Sequence, residues 1–219
     1  MSHPTPNPKK FKDIKAIIFD WSGVISDDRL PVYEANVQMM KDHNLEPVPY
    51  EQWIHTTKAS AHEDFLSRGV RRSAEYLANA YRHALAAIKS SGIHPVMYPD
   101  APATLSHLFE NGKALFVVSK HPTEHLEYEL EAYDIKQYFL QCYGSVEDKS
   151  FLIQNIIREY NIDQSQVLMI GDTIYDIMAA QKVGVVSFGI TTGYHRRAQL
   201  AEIHPDAIID SLTELLTYV

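Results

Sequence analysis

The sequence predicts an α/β fold, in which a parallel sheet lies between two layers of helices. Six short apolar runs have the length and composition of buried strands, and helical segments lie between most of them. The runs cover residues 15–20, 114–119, 139–143, 167–171, 184–190 and 207–209. Because strands that alternate with helices pair in parallel, helices are expected on both faces of the sheet.

Four helices are predicted among the later strands, at 102–111, 122–133, 150–160 and 174–183. Gly112 and Gly184 follow two of them, and glycine is the usual residue just past a helix C-terminus. Pro122 suits the first turn of another helix. Within 150–160 the apolar residues recur at helical spacing, which predicts one buried face.

The region between the first and second strands breaks this alternation. Residues 28–98 contain no convincing strand, and helical patterns cover 31–43, 50–66 and 71–91. We therefore predict an all-helical domain at 28–98, inserted into an α/β core formed by 13–27 and 99–219. Residues 1–12, with three prolines, are expected to be a flexible tail.

Composition excludes several classes of function. The chain has 219 residues, 45% of them hydrophobic, and a formal net charge of −8. This acidic balance argues against a nucleic-acid partner, but a few local cations could still hold a small anion. Cys142 is the single cysteine, which fits a reducing cytoplasm, and no apolar run approaches the roughly 18 residues of a membrane span. A monomer or homodimer is expected.

Polar side chains follow four of the predicted strands. Asp20 ends the first strand, Ser119 follows the second, Lys149 comes shortly after the third, and Asp172 and Asp176 follow the fourth. Each alone fits an ordinary helix cap, turn or surface residue. Because the carboxyl ends of parallel strands meet at one edge, we expect these five side chains to converge there.

This set of residues suits phosphoryl transfer. Asp20 and Asp172 can hold Mg²⁺, which prefers oxygen ligands, and Asp20 can also attack phosphorus. Ser119 can donate its hydroxyl hydrogen to a phosphoryl oxygen, and Lys149 can neutralise negative charge. The amides of residues 21–23 can cradle phosphate.

The chain resembles the haloacid dehalogenase-like (HAD) hydrolase superfamily over nearly its whole length. The stretches that carry the resemblance, in the family's order of four motifs, are 17–24, 117–120, Lys149 and 167–176. The predicted helical insertion is similar to the family's smaller cap type. Residues 119–122 and 190–194 most resemble phosphoglycolate-phosphatase-like members.

The resemblance implies a Rossmann-like core with a helical cap, and a Mg²⁺-dependent phosphatase that acts on a small phosphorylated metabolite through an aspartyl-phosphate on Asp20. It implies four metal-binding positions, at Asp20, the Ser22 carbonyl, Asp172 and Asp176. It implies catalytic roles for Asp20, Ser119 and Lys149. Substrate contacts are expected from Trp21, Ser22, Gly23, Lys58, His62, Ser119, Lys120 and Lys149.

Ser22 departs from the family pattern, because family phosphatases usually have a second aspartate at this position. That aspartate protonates the leaving alcohol and then activates water, whereas a serine hydroxyl is a very weak acid and base. Losing such help typically costs about 10²–10⁴-fold in rate. The enzyme could use a good leaving group or another proton donor, catalyse a different reaction, or bind without efficient turnover.

The different reaction could be the cleavage of a carbon–phosphorus bond. Asp20 to Gly23 resembles the phosphonatase branch, which cleaves phosphonoacetaldehyde with the help of a cap lysine that forms a Schiff base. Lys58 is the candidate lysine here. The stretch around Lys58 and His62 equally resembles the substrate-specificity loop of phosphatase caps. A weakly active or inactive phosphometabolite-binding module is the alternative from another class.

Overall fold

The computed structural model describes residues 11, 13–54, 56 and 61–219. The predicted tail therefore lies outside the described residues, apart from Phe11. The described elements in chain order are β1 (Ala16–Phe19), β2 (Ser26–Asp27), α1 (Arg29–Asp42), α2 (Tyr50–Trp53), α3 (Ala61–Ser67), α4 (Ala74–Ser90), β3 (Val96–Met97), α5 (Ala101–Glu110), β4 (Ala114–Val118), α6 (Thr123–Ala132), β5 (Gln141–Tyr143), α7 (Lys149–Glu159), β6 (Val167–Gly171), α8 (Ile174–Val183), β7 (Val186–Ile190), α9 (Arg197–Glu202), β8 (Ala207–Ile209) and α10 (Leu212–Leu215).

The chain divides into two compact units. One contains the residues up to Asp27 and from Met97 onward, and the other runs from Asp28 to Val96. The first unit is built on a six-stranded sheet with the order β5-β4-β1-β6-β7-β8, in which every neighbouring pair is parallel. All six predicted strands form, so the α/β fold class is confirmed.

The central strand β1 explains the layers. All four of its residues are fully buried, because the sheet is covered on both faces. Ile17 and Phe19 contribute to one apolar cluster, while Ala16 and Ile18 contribute to a second cluster that also contains Ile153 of α7. Successive side chains of a strand point to opposite faces, so this alternation places one cluster on each side of the sheet.

The register of the sheet positions the loops that follow its central strands. Phe19, the last residue of β1, lies opposite Val117 of β4 on one side and Ile170 of β6 on the other. The chain leaves all three strands within one or two residues of this level. The loops that begin at Asp20, Ser119 and Asp172 therefore start next to one another.

The second unit is helical over most of its described length. Helices α1 and α4 pack together, and α4 begins at an N-cap in which Ser73 Oγ accepts a hydrogen bond from the Tyr76 amide. The stretch 50–66, predicted to be helical, contains the separate helices α2 and α3. The prediction of no strand within 28–98 is wrong at its end, where β3 pairs with β2 in a two-stranded sheet. The role of the second unit as a cap stays a prediction.

No helix in the described part of the chain combines the length and the apolar character that crossing a membrane requires.

Candidate active site

Asp20 lies at the point where β1 ends and the next loop begins. Its backbone N–H still donates to the Ile170 carbonyl oxygen at 2.9 Å, which extends the pairing with β6 by one residue. The residue is 7% exposed, and its Oδ1 accepts a hydrogen bond from the Trp21 amide at 2.7 Å. The strand and the first turn of the loop thus fix the direction of this carboxylate.

Lys149 supplies the positive charge beside Asp20. Asp148 caps α7 by accepting a hydrogen bond from the Phe151 amide, so Lys149 stands at the first residue of the helix. Its Nζ lies 2.8 Å from Asp20 Oδ1 and 2.5 Å from Asp176 Oδ1. Burial opposes the charged form of this amine, but Asp176 and Asp20 outweigh burial and raise the pKa of Lys149. The lysine is therefore a permanent cation.

Three buried carboxylates face this single ammonium group. Each of Asp20, Asp172 and Asp176 offers an oxygen within 4.8 Å of the others. Burial, reinforced by repulsion from Asp176 and Asp20, raises the pKa of Asp172 well above its ordinary value. Burial likewise raises the pKa of Asp20, although Lys149 opposes this shift. The cluster thus carries more negative than positive charge when its acids are ionised.

Asp172 has one satisfied and one unsatisfied oxygen. Its Oδ2 accepts a hydrogen bond from the Tyr194 amide at 2.7 Å, and its Oδ1 is buried with no hydrogen-bond partner in the described chain. A buried carboxylate oxygen without a donor is costly, so such an atom points to a missing partner. A bound cation is the partner that the neighbouring carboxylates favour.

Asp176 joins the helix start to the cluster. Its Oδ2 accepts hydrogen bonds from the Thr173 amide at 3.1 Å and from Thr173 Oγ1 at 2.5 Å, and so it completes a capping box at the beginning of α8. Its other oxygen holds Lys149. Local helix capping therefore orients Asp176 toward the site.

Ser119 reaches the same place from β4. It is 2% exposed, and its backbone N–H donates to the Tyr143 carbonyl oxygen of β5. Its Oγ accepts a hydrogen bond from the His121 amide at 3.2 Å and also contributes to the electrostatic environment of Asp20. The neighbouring Lys120 is exposed, and no described contact joins it to the carboxylates.

The turn after Asp20 packs tightly against Asp172. Gly23 adopts φ 75°, and a Cβ atom there would collide with the Asp172 carboxylate. The carbonyl oxygen of Gly23 accepts a hydrogen bond from Thr192 Oγ1 at 2.6 Å. Ser22 is half-buried in this turn and forms a bridge with Ser26. Two loops distant in sequence thus close around one carboxylate.

The Trp21 amide donates to Asp20 Oδ1 at 2.7 Å. The Trp21 indole is fully buried, stacks on Tyr133 at 5.9 Å between ring centroids, and donates from Nε1 to Glu129 Oε2 at 2.7 Å. The side chain therefore anchors the loop from behind. The predicted contact of Trp21 with substrate stays a prediction.

Comparison with known proteins identifies the family. The model of the haloacid dehalogenase-like hydrolase family matches residues 17–190, which is most of the chain. The protein belongs to the haloacid dehalogenase-like hydrolase family. Together with the relatives described next, this match confirms the predictions of this superfamily, of an enzyme and of the phosphatase class.

Curated relatives of this HAD hydrolase carry a more specific name. A phosphoglycolate phosphatase from Aliivibrio fischeri is 29% identical over 94% of this chain and 96% of its own length. A phosphoglycolate phosphatase from Vibrio parahaemolyticus is 26% identical over 95% and 97%, respectively. These matches span both units described above.

Solved structures agree with the fold. A haloacid dehalogenase-like family hydrolase from Streptococcus pneumoniae superposes with a TM-score of 0.83 at 22% identity, covering 94% of this chain and 98% of its own. A hydrolase from Pseudomonas syringae gives 0.74 at 17% identity, covering 93% and 97%. At this identity the likeness concerns the fold alone.

The structure brings together Asp20, Ser119, Lys149, Asp172 and Asp176 of this HAD hydrolase, as the strand ends predict. Lys58 lies outside the described residues, so its predicted role stays a prediction. His62 lies on α3 in the second unit and is partly exposed, and its contact with substrate also stays a prediction.

Sequence reasoning missed three contributors to the site. Thr173 holds Asp176, the Tyr194 amide holds Asp172, and Glu129 holds the Trp21 indole. Only Glu129 had a usable signal, because it shares the apolar face of α6 with Leu126 and Leu130. A charged residue on such a face predicts a buried partner.

Proposed function

We propose that this protein is a Mg²⁺-dependent phosphatase that hydrolyses a small phosphorylated metabolite through an aspartyl-phosphate on Asp20. One observation carries the proposal. Asp20, held 2.8 Å from Lys149, lies in a buried cluster with Asp172 and Asp176. A nucleophile, a cation-binding set of acids and a fixed positive charge are what phosphoryl transfer requires.

The residues present fit a magnesium ion. Asp172 Oδ1 is buried without a hydrogen-bond partner in the described chain, and Asp172 offers an oxygen within 4.8 Å of those of Asp20 and Asp176. Asp20, Asp172 and Asp176, with the Ser22 carbonyl, would hold the ion. When bound, it would offset the negative charge of the acids, which otherwise repels a phosphoryl group.

The first half of the reaction uses Asp20 as nucleophile. Its Oδ1 is occupied by the Trp21 amide and Lys149, so we assign the attack to Oδ2. A bond from Oδ2 to phosphorus forms as the bond from phosphorus to the leaving oxygen breaks. Lys149 offsets charge on the transferred group, and Ser119 donates its hydroxyl hydrogen to one of the phosphoryl oxygens.

The second half returns Asp20 to its starting form. Water attacks the phosphorus of the aspartyl-phosphate, inorganic phosphate leaves, and the carboxylate is regenerated. Ser22 cannot provide a carboxylate to protonate the leaving oxygen or to activate this water. Substrates whose leaving group is already a stable anion are therefore expected to react fastest.

The names of the relatives suggest which metabolite to test first. Both full-length relatives described above are phosphoglycolate phosphatases. We therefore propose a small phosphorylated acid of this type as the first physiological candidate, within a broader class of small phosphate esters.

The decisive experiment is a phosphatase assay with and without Mg²⁺ on an activated aryl phosphate and a panel of small phosphorylated metabolites. Wild-type protein should release phosphate only with Mg²⁺. Asp20→Asn should lose roughly 10³-fold or more of this activity, because the amide is a poor nucleophile.

Asp210→Asn provides the matched control, because this exposed aspartate pairs with Arg197 outside the cluster. It should retain wild-type turnover. A wild-type protein that releases no phosphate from any ester would overturn the proposal, and so would an Asp20→Asn variant of normal activity.

A further inference from the structure

A second buried carboxylate, outside the acidic cluster, lies behind the nucleophile loop. Glu129 of α6 is 3% exposed and has no role in the chemistry proposed above. Its Oε2 accepts hydrogen bonds from Trp21 Nε1 at 2.7 Å and from Ser26 Oγ at 2.9 Å. Both donors belong to the stretch of chain that follows Asp20.

The other oxygen of Glu129 reaches a different loop. His121 Nε2 lies 3.2 Å from Oε1, and both side chains are more than nine-tenths buried. Because a carboxylate can only accept, Nε2 carries the hydrogen in this arrangement. The backbone N–H of His121 donates to Ser119 Oγ at 3.2 Å. One carboxylate therefore connects the Asp20 loop with the Ser119 loop.

The donors around Glu129 leave little freedom for rearrangement. The Ser26 hydroxyl has one hydrogen, which goes to Glu129, so the Tyr133 hydroxyl must donate to Ser26 Oγ at 2.9 Å. Tyr133 also stacks on Trp21 with an interplanar angle of 15°. Buried networks whose members are all satisfied have a single favourable arrangement.

The same contacts decide which way the Ser119 hydroxyl points. Its Oγ accepts from the His121 amide, and its own hydrogen remains available for the Asp20 side or for a phosphoryl oxygen. A shift of His121 would turn or move this hydroxyl. Reacting groups that move by about 1 Å can lose about 10²-fold in rate.

We propose that Glu129 is a positioning residue, which fixes the Asp20 loop through Trp21 and the Ser119 loop through His121. It thereby sets the distance between the nucleophile and the hydroxyl that binds the phosphoryl group. This inference rests on the proposed function, in which Asp20 and Ser119 act on the same phosphoryl group.

The kinetic test compares Glu129→Gln, Trp21→Phe and the double variant, using an aryl phosphate with Mg²⁺. The first change retains the shape of the side chain but removes the charge that holds His121, and the second retains the stack on Tyr133 but removes the indole N–H. Each single change should lower kcat about 10–100-fold. KM should change less than about threefold, because the displaced groups act mainly on the transition state rather than on the bound substrate.

The double variant decides whether the two residues act as one unit. If Glu129 works through Trp21, the double variant should be no slower than the slower single variant. Ser187→Ala is the matched control, because it removes the hydrogen bond from the buried Ser187 of β7 to Asp206, away from both loops. It should lower thermal stability without lowering kcat. Glu129→Gln with wild-type kcat, or losses in the double variant that multiply, would overturn the inference.

A spectroscopic readout separates this inference from the proposed function. The chain has two tryptophans, Trp21 and Trp53, so Trp53→Phe leaves Trp21 as the single tryptophan, which is excited selectively at wavelengths that tyrosine does not absorb. In that background, Glu129→Gln should shift the Trp21 emission. Addition of orthovanadate with Mg²⁺ should change the Trp21 emission less in the Glu129→Gln protein than in the protein that retains Glu129.

These outcomes are distinguishable. Absence of turnover in the wild-type protein, with the emission shift present, would remove the proposed function and leave the contact between Glu129 and the loop established. Trp21 emission that is insensitive to Glu129→Gln would overturn the inference, whatever the protein hydrolyses.

Discussion

A single buried carboxylate and a cluster of three lie beside the loop that follows β1, and they differ in how many hydrogen-bond donors reach each carboxylate. Glu129 receives hydrogen bonds from Trp21, Ser26 and His121. In the other group, Asp20, Asp172 and Asp176 share Lys149 as their cation, and Asp172 Oδ1 has no partner in the described chain.

The pKa values follow this difference in donors. Burial alone would raise the pKa of Glu129, but its hydrogen bonds from His121, Trp21 and Ser26 outweigh burial and lower it. Burial dominates at Asp172, so its pKa rises. A buried acid whose oxygens receive hydrogen bonds stabilises the folded protein. A buried acid with an oxygen that receives none favours the binding of a cation.

Lys149→Met should produce the largest change, because it removes the cation from the unsatisfied group. Leaving buried charges uncompensated costs about 3–5 kcal/mol of unfolding free energy. Urea unfolding in EDTA should show this loss, and Mg²⁺ should restore part of it. Lys182→Met is the control, since that lysine is exposed and 3.7 Å from Asp148. Equal stability of the two variants would contradict the account of the cluster.

Ser22→Asp should add the acid that the Asp20 loop lacks. Turnover of alkyl phosphates, which have poor leaving groups, should rise about 10–100-fold, while aryl phosphates should gain little. Ser22→Asn keeps a similar size without an acid and should give no gain. Comparison of kcat across leaving groups of graded pKa measures this effect, and a uniform change across the series would count against it.

Asp172→Asn should stabilise the protein in EDTA by about 1–2 kcal/mol near neutral pH, because it removes an unsatisfied buried charge. The raised pKa of Asp172 gives the sign. A raised folded-state pKa makes wild-type stability fall as pH rises from the ordinary pKa of the acid toward that value. The variant does not titrate there, so its advantage should grow with rising pH.

Asp210→Asn is the opposite case, because hydrogen bonds from Thr191 and Arg197 lower the pKa of Asp210. It should bring no such gain. Thermal melts of both variants across a pH series from acid to neutral make the comparison. An Asp172→Asn advantage that shrinks as pH rises would refute the assignment of Asp172 as an unsatisfied charge.

Glu129→Gln should have the smallest and opposite effect on stability. Because the folded-state pKa of Glu129 is lowered, the stability it contributes is present above its ordinary pKa of 4.5 and is lost as pH falls through the folded value. Wild type should therefore exceed the variant by about 1 kcal/mol near neutral pH and converge with it in acid. Chemical denaturation at several pH values tests this, and a gap that widens in acid would contradict it.

The strands and the acidic cluster could be predicted because both depend on local sequence. Buried runs such as 16–19 and 115–118 are continuous and apolar, and the parallel arrangement then places their ends together. The position of each residue at the end of a strand was therefore enough to predict that Asp20, Ser119 and Asp172 lie at one edge of the sheet.

Contacts that depend on packing between distant loops could not be predicted in the same way. The Tyr194 amide reaches Asp172 from a loop 22 residues later, and backbone donors leave no trace in the residue types. The orientation of Trp21 depends on Glu129, which lies 108 residues away. The two-residue strands β2 and β3 are too short to produce a periodic pattern.

The close approach of Gly23 and Gly193 to Asp172 has a consequence for enzyme engineering. A Cβ atom at either glycine would occupy the space of the Asp172 carboxylate. Mutant libraries that seek a new substrate should therefore leave both positions unchanged. Diversity is better introduced where backbone and carboxylate are not in contact, so that altered selectivity does not come at the expense of the chemistry.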